Sequence, residues 1–194
     1  MRCHIIGNGY SRKLFKDYEG FKICLNVHSY PCDLLFAIDD IAIEYLHKNN
    51  FFKTNIVIND NVRLESKYII DRVPAYRKGI PFELEGMISN ESSFNVGHCA
   101  YQWARKNSYT EIHLWGFDIF FDKSLVSLSD QIFGHTIEYK QSLKFDKKVE
   151  KYLKIWDNIV DIETYIHMPP GKVIDSQVQN KFLKGVNEWD WAMI

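Results

Sequence analysis

Residues 3–15, Cys-His-Ile-Ile-Gly-Asn-Gly-Tyr-Ser-Arg-Lys-Leu-Phe, pass from an apolar run through two glycines into a segment that suits a helix. A short apolar run that is bounded by turn residues predicts a buried strand. The same pattern recurs along the chain, and this repetition predicts the fold. The further runs are Phe21 to Leu25, Leu34 to Ile38, Asn55 to Ile58, Tyr68 to Ile70, Ile112 to Trp115 and Thr164 to His167.

Three segments with helical periodicity lie between these runs: Asp40 to Lys48, Asn95 to Lys106 and Leu143 to Val160. In the last of them, apolar residues recur at spacings of three and four while lysines occupy the other faces. Strands that alternate with helices predict a mainly parallel sheet with helices on both faces. We therefore expect an α/β fold of Rossmann-like type, formed as a single domain over residues 1–194.

Three stretches do not fit the alternation of strands and helices. Pro74 to Ser93 has two prolines, two glycines and little periodicity, and is expected to form a long loop over the sheet edge. Residues 119–142 follow a strand that ends in Gly-Phe-Asp, and they are expected to form a lid, because lids are common at the carboxyl ends of strands. Gln177 to Ile194 are expected to form a short helix or an ordered tail.

The charge balance excludes several classes of partner. Lys and Arg (24) nearly cancel Asp and Glu (25), so the chain has no strong positive field for nucleic acid or an anionic membrane surface.

Its four cysteines lack the paired spacings of zinc sites and secreted disulfide frameworks, and are expected to be reduced. No apolar run predicts a signal segment or a membrane span. We expect a cytoplasmic protein with no nucleic-acid partner, and the sequence leaves a homo-oligomer open.

The turn Gly7-Asn8-Gly9-Tyr10-Ser11 is the first candidate binding site. At the carboxyl edge of a parallel sheet, glycines allow close backbone approach, and free amides at a helix N-terminus attract phosphate. The turn lacks the third glycine of the dinucleotide fingerprint and the Walker lysine. A nucleotide loop and a tight turn with Ser11 as N-cap are both open.

Polar residues also follow three other predicted strands. Asn26 follows the second strand, Asp39 and Asp40 follow the third, and Asn59 and Asp60 follow the fourth. In a parallel sheet these side chains gather along the edge that carries the glycine turn. No metal site is predicted, because adjacent carboxylates diverge and no histidine lies at ligand spacing.

The second half of the chain adds two segments to the same crevice. Asn95-Val96-Gly97-His98 opens a helix, and Gly116-Phe117-Asp118 closes a strand. Gly97 and Gly116 stand where the backbone must come close to another group. We expect Asn95, Gly97, Gly116 and Asp118 to line the crevice.

In this order the motifs resemble those of the bacterial family 42 sialyltransferases and of the related Rossmann-like domain of motility accessory factors. The resemblance rests on the Gly-Asn-Gly-x-Ser turn, the asparagine after strand two, the polar-x-Gly helix start and the Gly-x-Asp strand end, and it covers Arg2 to about Pro169. The stretch Leu-Trp-Gly-Phe-Asp-x-x-Phe-Asp at 114–122 is most similar to phage-encoded versions of these domains.

The resemblance implies roles for individual residues. The nucleotide or sugar nucleotide, which is a substrate and not a cofactor, would be held by Gly7, Asn8, Gly9, Asn26, Asn95, Gly97, Gly116 and Asp118. Gly134-His135-Thr136 stands where the sialyltransferases have Gly-His-Ser, so His135 is implied to be the general base. The chain departs from the family at Phe120 and Phe121, which replace tyrosines that bind the leaving phosphate, and phenylalanine cannot donate a hydrogen bond.

Three functions follow from these observations. The first is a glycosyltransferase-like domain that transfers a sugar to a hydroxyl acceptor with a histidine base and no metal. The second is a non-catalytic module that binds a nucleotide or a partner. The third is a metal-dependent nucleotide-processing enzyme with Asp39, Asp60 and Asp118 as ligands of magnesium. His167 and then His98 are the alternative candidates for the base.

Overall fold

In a computed structural model of the chain, the structure describes residues 1–27, 30–49, 54–60, 62–73, 95–122, 132 and 145–187. Eight parallel strands form one sheet in the order β5-β4-β3-β2-β1-β6-β7-β8. The strands are β1 (Arg2–Ile6), β2 (Phe21–Leu25), β3 (Leu34–Ala37), β4 (Asn55–Asn59), β5 (Ile69–Val73), β6 (Glu111–Trp115), β7 (Thr164–Met168) and β8 (Leu183–Asn187). This arrangement confirms the predicted α/β fold class.

Three α-helices are described, and all three lie where the periodicity predicts them. They are α1 (Asp40–Lys48), α2 (Val96–Lys106) and α3 (Phe145–Ile159), and two short 3₁₀ turns occupy Tyr10–Leu14 and Asp118–Phe120. The apolar positions of each helix recur at helical spacing, so each helix buries one stripe of side chains against the sheet.

The helices cover both faces of the sheet, as predicted. Alternate residues of β1 point to opposite faces, so Ile5 belongs to one apolar cluster and Ile6 to another. The cluster around Ile5 contains the buried residues of α2 and α3, and the cluster around Ile6 contains those of α1. Trp156 of α3 is fully buried and is among the largest side chains of the first cluster.

The strand order reverses once, between β1 and β6. From β1 the chain adds β2, β3, β4 and β5 in one direction, and then returns to place β6 on the other side of β1. Arg2 lies opposite Glu111, and Ile6 lies opposite Trp115, in the resulting pair. A reversal of this kind leaves a crevice at the carboxyl ends of the two strands, because the connections leave them in opposite directions.

The C-terminal segment contains a strand that the sequence pattern did not predict. Leu183–Asn187 pairs with β7 as β8, so a short helix is wrong for these residues. Its pattern is hard to recognise because only Leu183 and Val186 are buried, three residues apart. The strand enters the sheet from a turn fixed on the C-terminal end of α3, where Asn180 Nδ2 donates to the carbonyls of Asp157 (2.8 Å) and Val160 (2.7 Å).

Two predicted segments lie wholly or mostly outside the described residues. The long loop predicted for Pro74 to Ser93 is one of them. The predicted lid at residues 119–142 is described only at 119–122 and at Ile132, so its role stays a prediction.

We predict that Asn180→Ala lowers the free energy of unfolding by roughly 1–3 kcal/mol, because it removes two donated hydrogen bonds and the one that Asn180 Oδ1 accepts from the Phe182 amide. Urea denaturation measures this difference. Gln177→Ala, at an exposed position of the same segment, should stay within about 0.5 kcal/mol of wild type. Equal effects of the two variants would show that the Asn180 contacts do not anchor β8.

Candidate functional site

The candidate site lies where the carboxyl ends of β1 and β6 meet. The Gly7 amide donates to the Trp115 carbonyl at 2.7 Å, and the Gly9 amide donates to the Gly116 carbonyl at 2.9 Å. These bonds extend the β1–β6 pairing beyond the strands themselves. The two motifs singled out in the sequence are therefore brought together at the reversal of strand order, where ligands bind in open α/β sheets.

The glycines of these motifs are required by backbone packing. A Cβ on Gly7 would lie 2.8 Å from the Gly116 carbonyl oxygen, and one on Gly9 would lie 2.5 Å from the Asp118 carboxyl carbon. Gly116 itself has φ +70°, in the left-handed region that favours glycine. Backbone packing therefore explains why these positions are glycine, whether or not a ligand binds.

Asp118 joins the end of β6 to the turn after β1. Its carboxylate accepts hydrogen bonds from the Ser11 amide at 3.2 Å and from the Ser11 hydroxyl, and both side chains are buried. Ser11 is not the N-cap, since Gly9 is the residue that precedes the 3₁₀ turn. Because Asp118 already satisfies the Ser11 amide, this amide is not available to a phosphate. We call the contact between Asp118 and Ser11 the Asp118–Ser11 clasp.

Backbone amides at the N-terminus of α2 are also hydrogen-bonded within the protein. Asn95 caps the helix, with its Oδ1 accepting from the amides of Gly97 (2.9 Å) and His98 (3.2 Å). In return, His98 Nδ1 accepts from the Asn95 amide at 3.0 Å, so the ring proton is on Nε2, which lies 3.2 Å from the Tyr152 carbonyl. Burial lowers the pKa of His98 to about 3. His98 is thus a neutral capping residue and not a base.

Gly97 faces the end of β6. A Cβ at this position would lie 2.7 Å from the Phe117 ring, so a larger residue would disturb the packing of α2 on that loop. The glycine in the polar-x-Gly step therefore has a packing role. A Gly97→Val variant would test folding as much as ligand binding.

Asn8 and Asn26 each have a buried side-chain oxygen that accepts no hydrogen bond from the described residues. Asn8 Nδ2 donates to the Leu25 carbonyl at 2.9 Å, and Asn26 Nδ2 donates to Asp39 Oδ2 at 3.2 Å. Among the described residues, neither Oδ1 atom has a hydrogen-bond partner, although both side chains are more than nine-tenths buried. A buried acceptor without a donor costs free energy. The site therefore offers two acceptors to a ligand that carries donors.

Asp39, at the end of β3, contributes negative charge close to Asn26. Burial raises the pKa of the Cys99 thiol to about 12, and the charge of Asp39 adds to this increase. The same two causes, in the same order, raise the pKa of the Tyr152 phenol. Cys99 of α2 and Tyr152 of α3 therefore lie within electrostatic range of Asp39.

Tyr152 lies close to the candidate site, although the sequence pattern did not indicate this position. It lies on α3 next to Leu153, one of the apolar positions that pack on the sheet. Its position beside this stripe gave no signal that it approaches the carboxyl edge. Only the packing of α3 beside α2 brings it there.

Asn59 lies apart from the other predicted residues. It ends β4, which is three strands from β1 in the sheet, a separation of roughly 14 Å at the usual spacing. Its side chain is buried, and Nδ2 donates to the Ile38 carbonyl at 3.1 Å. The structure therefore does not bring Asn59 to the junction of β1 and β6.

His167, the first alternative to His135, is part of a buried histidine cluster on the sheet face. The cluster consists of His4, His113 and His167, with Trp115 beside them. The ring of His167 is stacked on Trp115 with centroids 3.4 Å apart, and its Nε2 lies 2.9 Å from His113 Nδ1. Burial, helped by the neighbouring histidines, lowers the pKa of His167 far below its usual value. A neutral, fully buried ring in this position does not suit exchange of a proton with a substrate.

The described residues contain no group of three or more His, Cys, Asp or Glu side chains that could hold a metal ion. Asp39, Asp60 and Asp118 therefore do not form such a cluster, and Asp118 is bound to Ser11. His135, the implied base, lies outside the described residues. Among the described residues, no helix has the length and apolar character that crossing a bilayer requires.

The chain is similar to a solved structure. That structure is the sialyltransferase CstII from Campylobacter jejuni in complex with a substrate analogue, CMP-3FNeuAc. The TM-score is 0.44 and the sequence identity 18%, over 85% of this chain and 80% of that chain. No protein-family model matches the chain, and no curated protein matches it. A similarity of this size does not transfer an activity.

We predict that acid destabilises the protein through its buried neutral histidines. Burial lowers the pKa of His4 to about 4 and that of His98 to about 3, whereas free histidine titrates near 6.5. Between about pH 6.5 and pH 4 the unfolded chain binds more protons, so stability falls as the pH falls. Urea unfolding at several pH values measures the slope.

A variant can separate this effect from general acid sensitivity. His98→Asn should reduce the slope of the unfolding free energy against pH between pH 6 and pH 5. The reduction should correspond to about one fewer proton taken up on unfolding. The control is Gln177→Ala, at an exposed position without an ionisable side chain, which should keep the wild-type slope. An unchanged slope in His98→Asn would contradict the assignment of His98 as a buried neutral residue.

Proposed function

We propose that this chain binds a nucleotide or a sugar nucleotide in the crevice at the carboxyl ends of β1 and β6, and that it acts as a glycosyltransferase-like domain. One observation carries the proposal: the two buried Oδ1 atoms of Asn8 and Asn26, which lack a donor among the described residues. Asn8 follows β1 at the reversal of strand order, where open α/β sheets bind their ligands, and Asn26 follows the adjacent strand β2. The motif resemblance supplies the class of ligand.

The chemistry of the crevice indicates which part of the ligand it holds. Amide oxygens accept hydrogen bonds, so they suit the hydroxyl groups of a sugar or the amino group of a base. The amides of Ser11, Gly97 and His98 are bonded within the protein and are not available to a phosphate. Asp39 adds negative charge near Asn26, which also disfavours a phosphate there. We propose that Asn8 and Asn26 bind the nucleoside or sugar portion of the ligand.

In the proposed transfer, His135 takes the proton of the acceptor hydroxyl while the nucleotide phosphate leaves the sugar. An imidazole with a pKa near neutrality suits this step. The assignment rests on the match of Gly134-His135-Thr136 to the family motif. It is also supported by the buried, hydrogen-bonded positions of His98 and His167, which leave neither ring to act as a base.

A non-catalytic binding module is the second candidate, and one observation favours it. Phe120, which replaces a phosphate-binding tyrosine of the resembling family, is fully buried and packs on Trp156 with ring centroids 5.6 Å apart. This position therefore contributes to the core and supplies no hydroxyl to a leaving phosphate. A module of this kind would keep the nucleotide and lack transfer.

We predict that Asn26→Gly weakens nucleotide binding by roughly threefold to tenfold, because it removes one acceptor. Asn26 has φ +59°, so glycine fits the backbone without strain. The probes are the four nucleoside monophosphates and their nucleotide sugars, first ranked by the increase in thermal midpoint of the wild type and then measured by calorimetry.

Ser108→Gly is the matched control for this variant. Ser108 is exposed after α2 and has φ +64°, so the substitution makes the same backbone change away from the crevice. It should bind the probe with wild-type affinity. If both variants bind equally well, Asn26 does not contact the ligand and the crevice is wrongly assigned.

We further predict that His135→Ala abolishes sugar transfer and leaves nucleotide affinity within about twofold, because a base acts mainly in the transition state. Transfer to a hydroxyl acceptor is measured by release of the nucleotide in EDTA and in magnesium. Transfer that survives in His135→Ala would refute the base. Strict dependence on magnesium would favour the metal-dependent alternative, and absence of transfer in wild type despite nucleotide binding would favour the binding module.

A further inference from the structure

Arg12 carries a positive charge at the junction of β1 and β6. It lies in the 3₁₀ turn Tyr10–Leu14, which follows β1 and packs against β6 and β7. Its Cβ stands beside Gly116 at the end of β6, since a Cβ built on that glycine would lie 2.8 Å from the Arg12 Cβ. Arg12 is therefore on the β6 side of the crevice.

The protein holds the Arg12 guanidinium by one of its nitrogens. Nη1 donates to the carbonyl oxygens of Asn8 and Gly9, each at 3.3 Å. The backbone is held as well, because the Arg12 amide donates to the Gly9 carbonyl at 3.2 Å and the Tyr30 hydroxyl donates to the Arg12 carbonyl at 3.2 Å. The guanidinium is thus tied to Asn8, the residue whose Oδ1 has no donor among the described residues.

The other two nitrogens of the guanidinium are available to a ligand. Within the described part of the chain, Nε and Nη2 make no hydrogen bond, and no carboxylate forms an ion pair with Arg12. The carboxylate of Asp118 accepts from Ser11 instead. Nε–H and one N–H of Nη2 point in parallel, and this pair of donors suits two oxygens of one phosphate.

The charge changes sign along the carboxyl edge of the sheet. Asp39 follows β3 and accepts from Asn26 after β2, Asn8 follows β1, and Arg12 stands beside the end of β6. Because these strands are neighbours in the order β3-β2-β1-β6, a negative group, two uncharged amides and a positive group follow one another. This arrangement orients a ligand that has a neutral part and an anionic part, since the anion is repelled by Asp39 and attracted by Arg12.

We propose that Arg12 binds the phosphate of the nucleotide, while Asn8 and Asn26 hold the nucleoside or sugar portion. Nε and Nη2 of Arg12 donate to two phosphate oxygens, and Nη1 stays on the carbonyls of Asn8 and Gly9. A side chain thus supplies the phosphate contact that the bonded backbone amides of the site cannot supply. The nature of the neutral portion rests on the proposed function, whereas the anion site rests on Arg12 itself.

The test separates the phosphate from the rest of the ligand. Calorimetry on the full-length protein compares AMP, CMP, GMP and UMP with their four nucleosides, and adds inorganic pyrophosphate as a probe without a nucleoside. Wild type should bind a monophosphate about tenfold or more tightly than its nucleoside, as hydrogen bonds between charged groups imply. Arg12→Gln should reduce this preference to about twofold or less, because glutamine carries no charge and cannot bind two oxygens.

Three further variants define the contact. Arg63→Gln removes the same charge at an exposed position after β4, and should keep the wild-type preference for the monophosphate. Arg12→Lys keeps the charge but lacks the parallel donors, so its preference should lie between those of wild type and Arg12→Gln. Asn26→Gly should weaken nucleoside and monophosphate by the same factor, because it acts on the portion that the two probes share.

The phosphate site and the proposed function can fail separately. The assignment of Arg12 fails if wild type binds a monophosphate and its nucleoside equally, or if either Arg12 variant keeps the wild-type preference, and the proposed function survives both results. If no nucleoside or nucleotide binds to wild type, the proposed function fails, and pyrophosphate decides on the site. Pyrophosphate binding that Arg12→Gln loses and Arg63→Gln keeps supports the assignment. Absence of pyrophosphate binding in that case, or binding that Arg12→Gln keeps, overturns it.

Discussion

The structure depends on the close approach of the backbone after β1 to the backbone after β6. The two segments can come within hydrogen-bond distance because Gly7, Gly9 and Gly116 have no side chain. The hydrogen bonds of the Asp118–Ser11 clasp then hold the two segments together. This contact fixes the centre of the sheet and sets the position of α2 through Gly97 and Phe117.

The same side chains that predict a binding site also hold neighbouring strand ends together. Asn8 bridges from the end of β1 to the end of β2, and Asn59 bridges from the end of β4 to the end of β3, each through an amide donated to a carbonyl. At Asn59 this structural role accounts for the residue. At Asn8 and Asn26 the structural role accounts for the side-chain nitrogen alone. Their side-chain oxygens have no partner among the described residues, and this distinguishes the two positions from Asn59.

The sequence was sufficient to predict most of the fold, because buried parallel strands and amphipathic helices leave local patterns. It failed at Leu183–Asn187, where an edge strand buries only two side chains and the pattern is too weak. Within the candidate site, the sequence identified which residues gather at the carboxyl edge, since turn residues after strands mark that edge. It could not separate Asn8 and Asn26 from Ser11 or Asn95, because that distinction depends on which donors and acceptors are already bonded across long sequence separations.

The strand order also has a consequence for synthesis on the ribosome. Strands β1 to β5 can pair in succession as they emerge, because each lies beside its predecessor. The other edge of β1 has no partner until β6 is made, 109 residues after Arg2 by the pairing with Glu111. At a typical rate of translation the nascent chain carries this open edge for roughly 5–20 s. An apolar central strand with a free edge is a site for pairing with other chains, so the half-made protein has its greatest need of a chaperone during this interval, before the crevice exists.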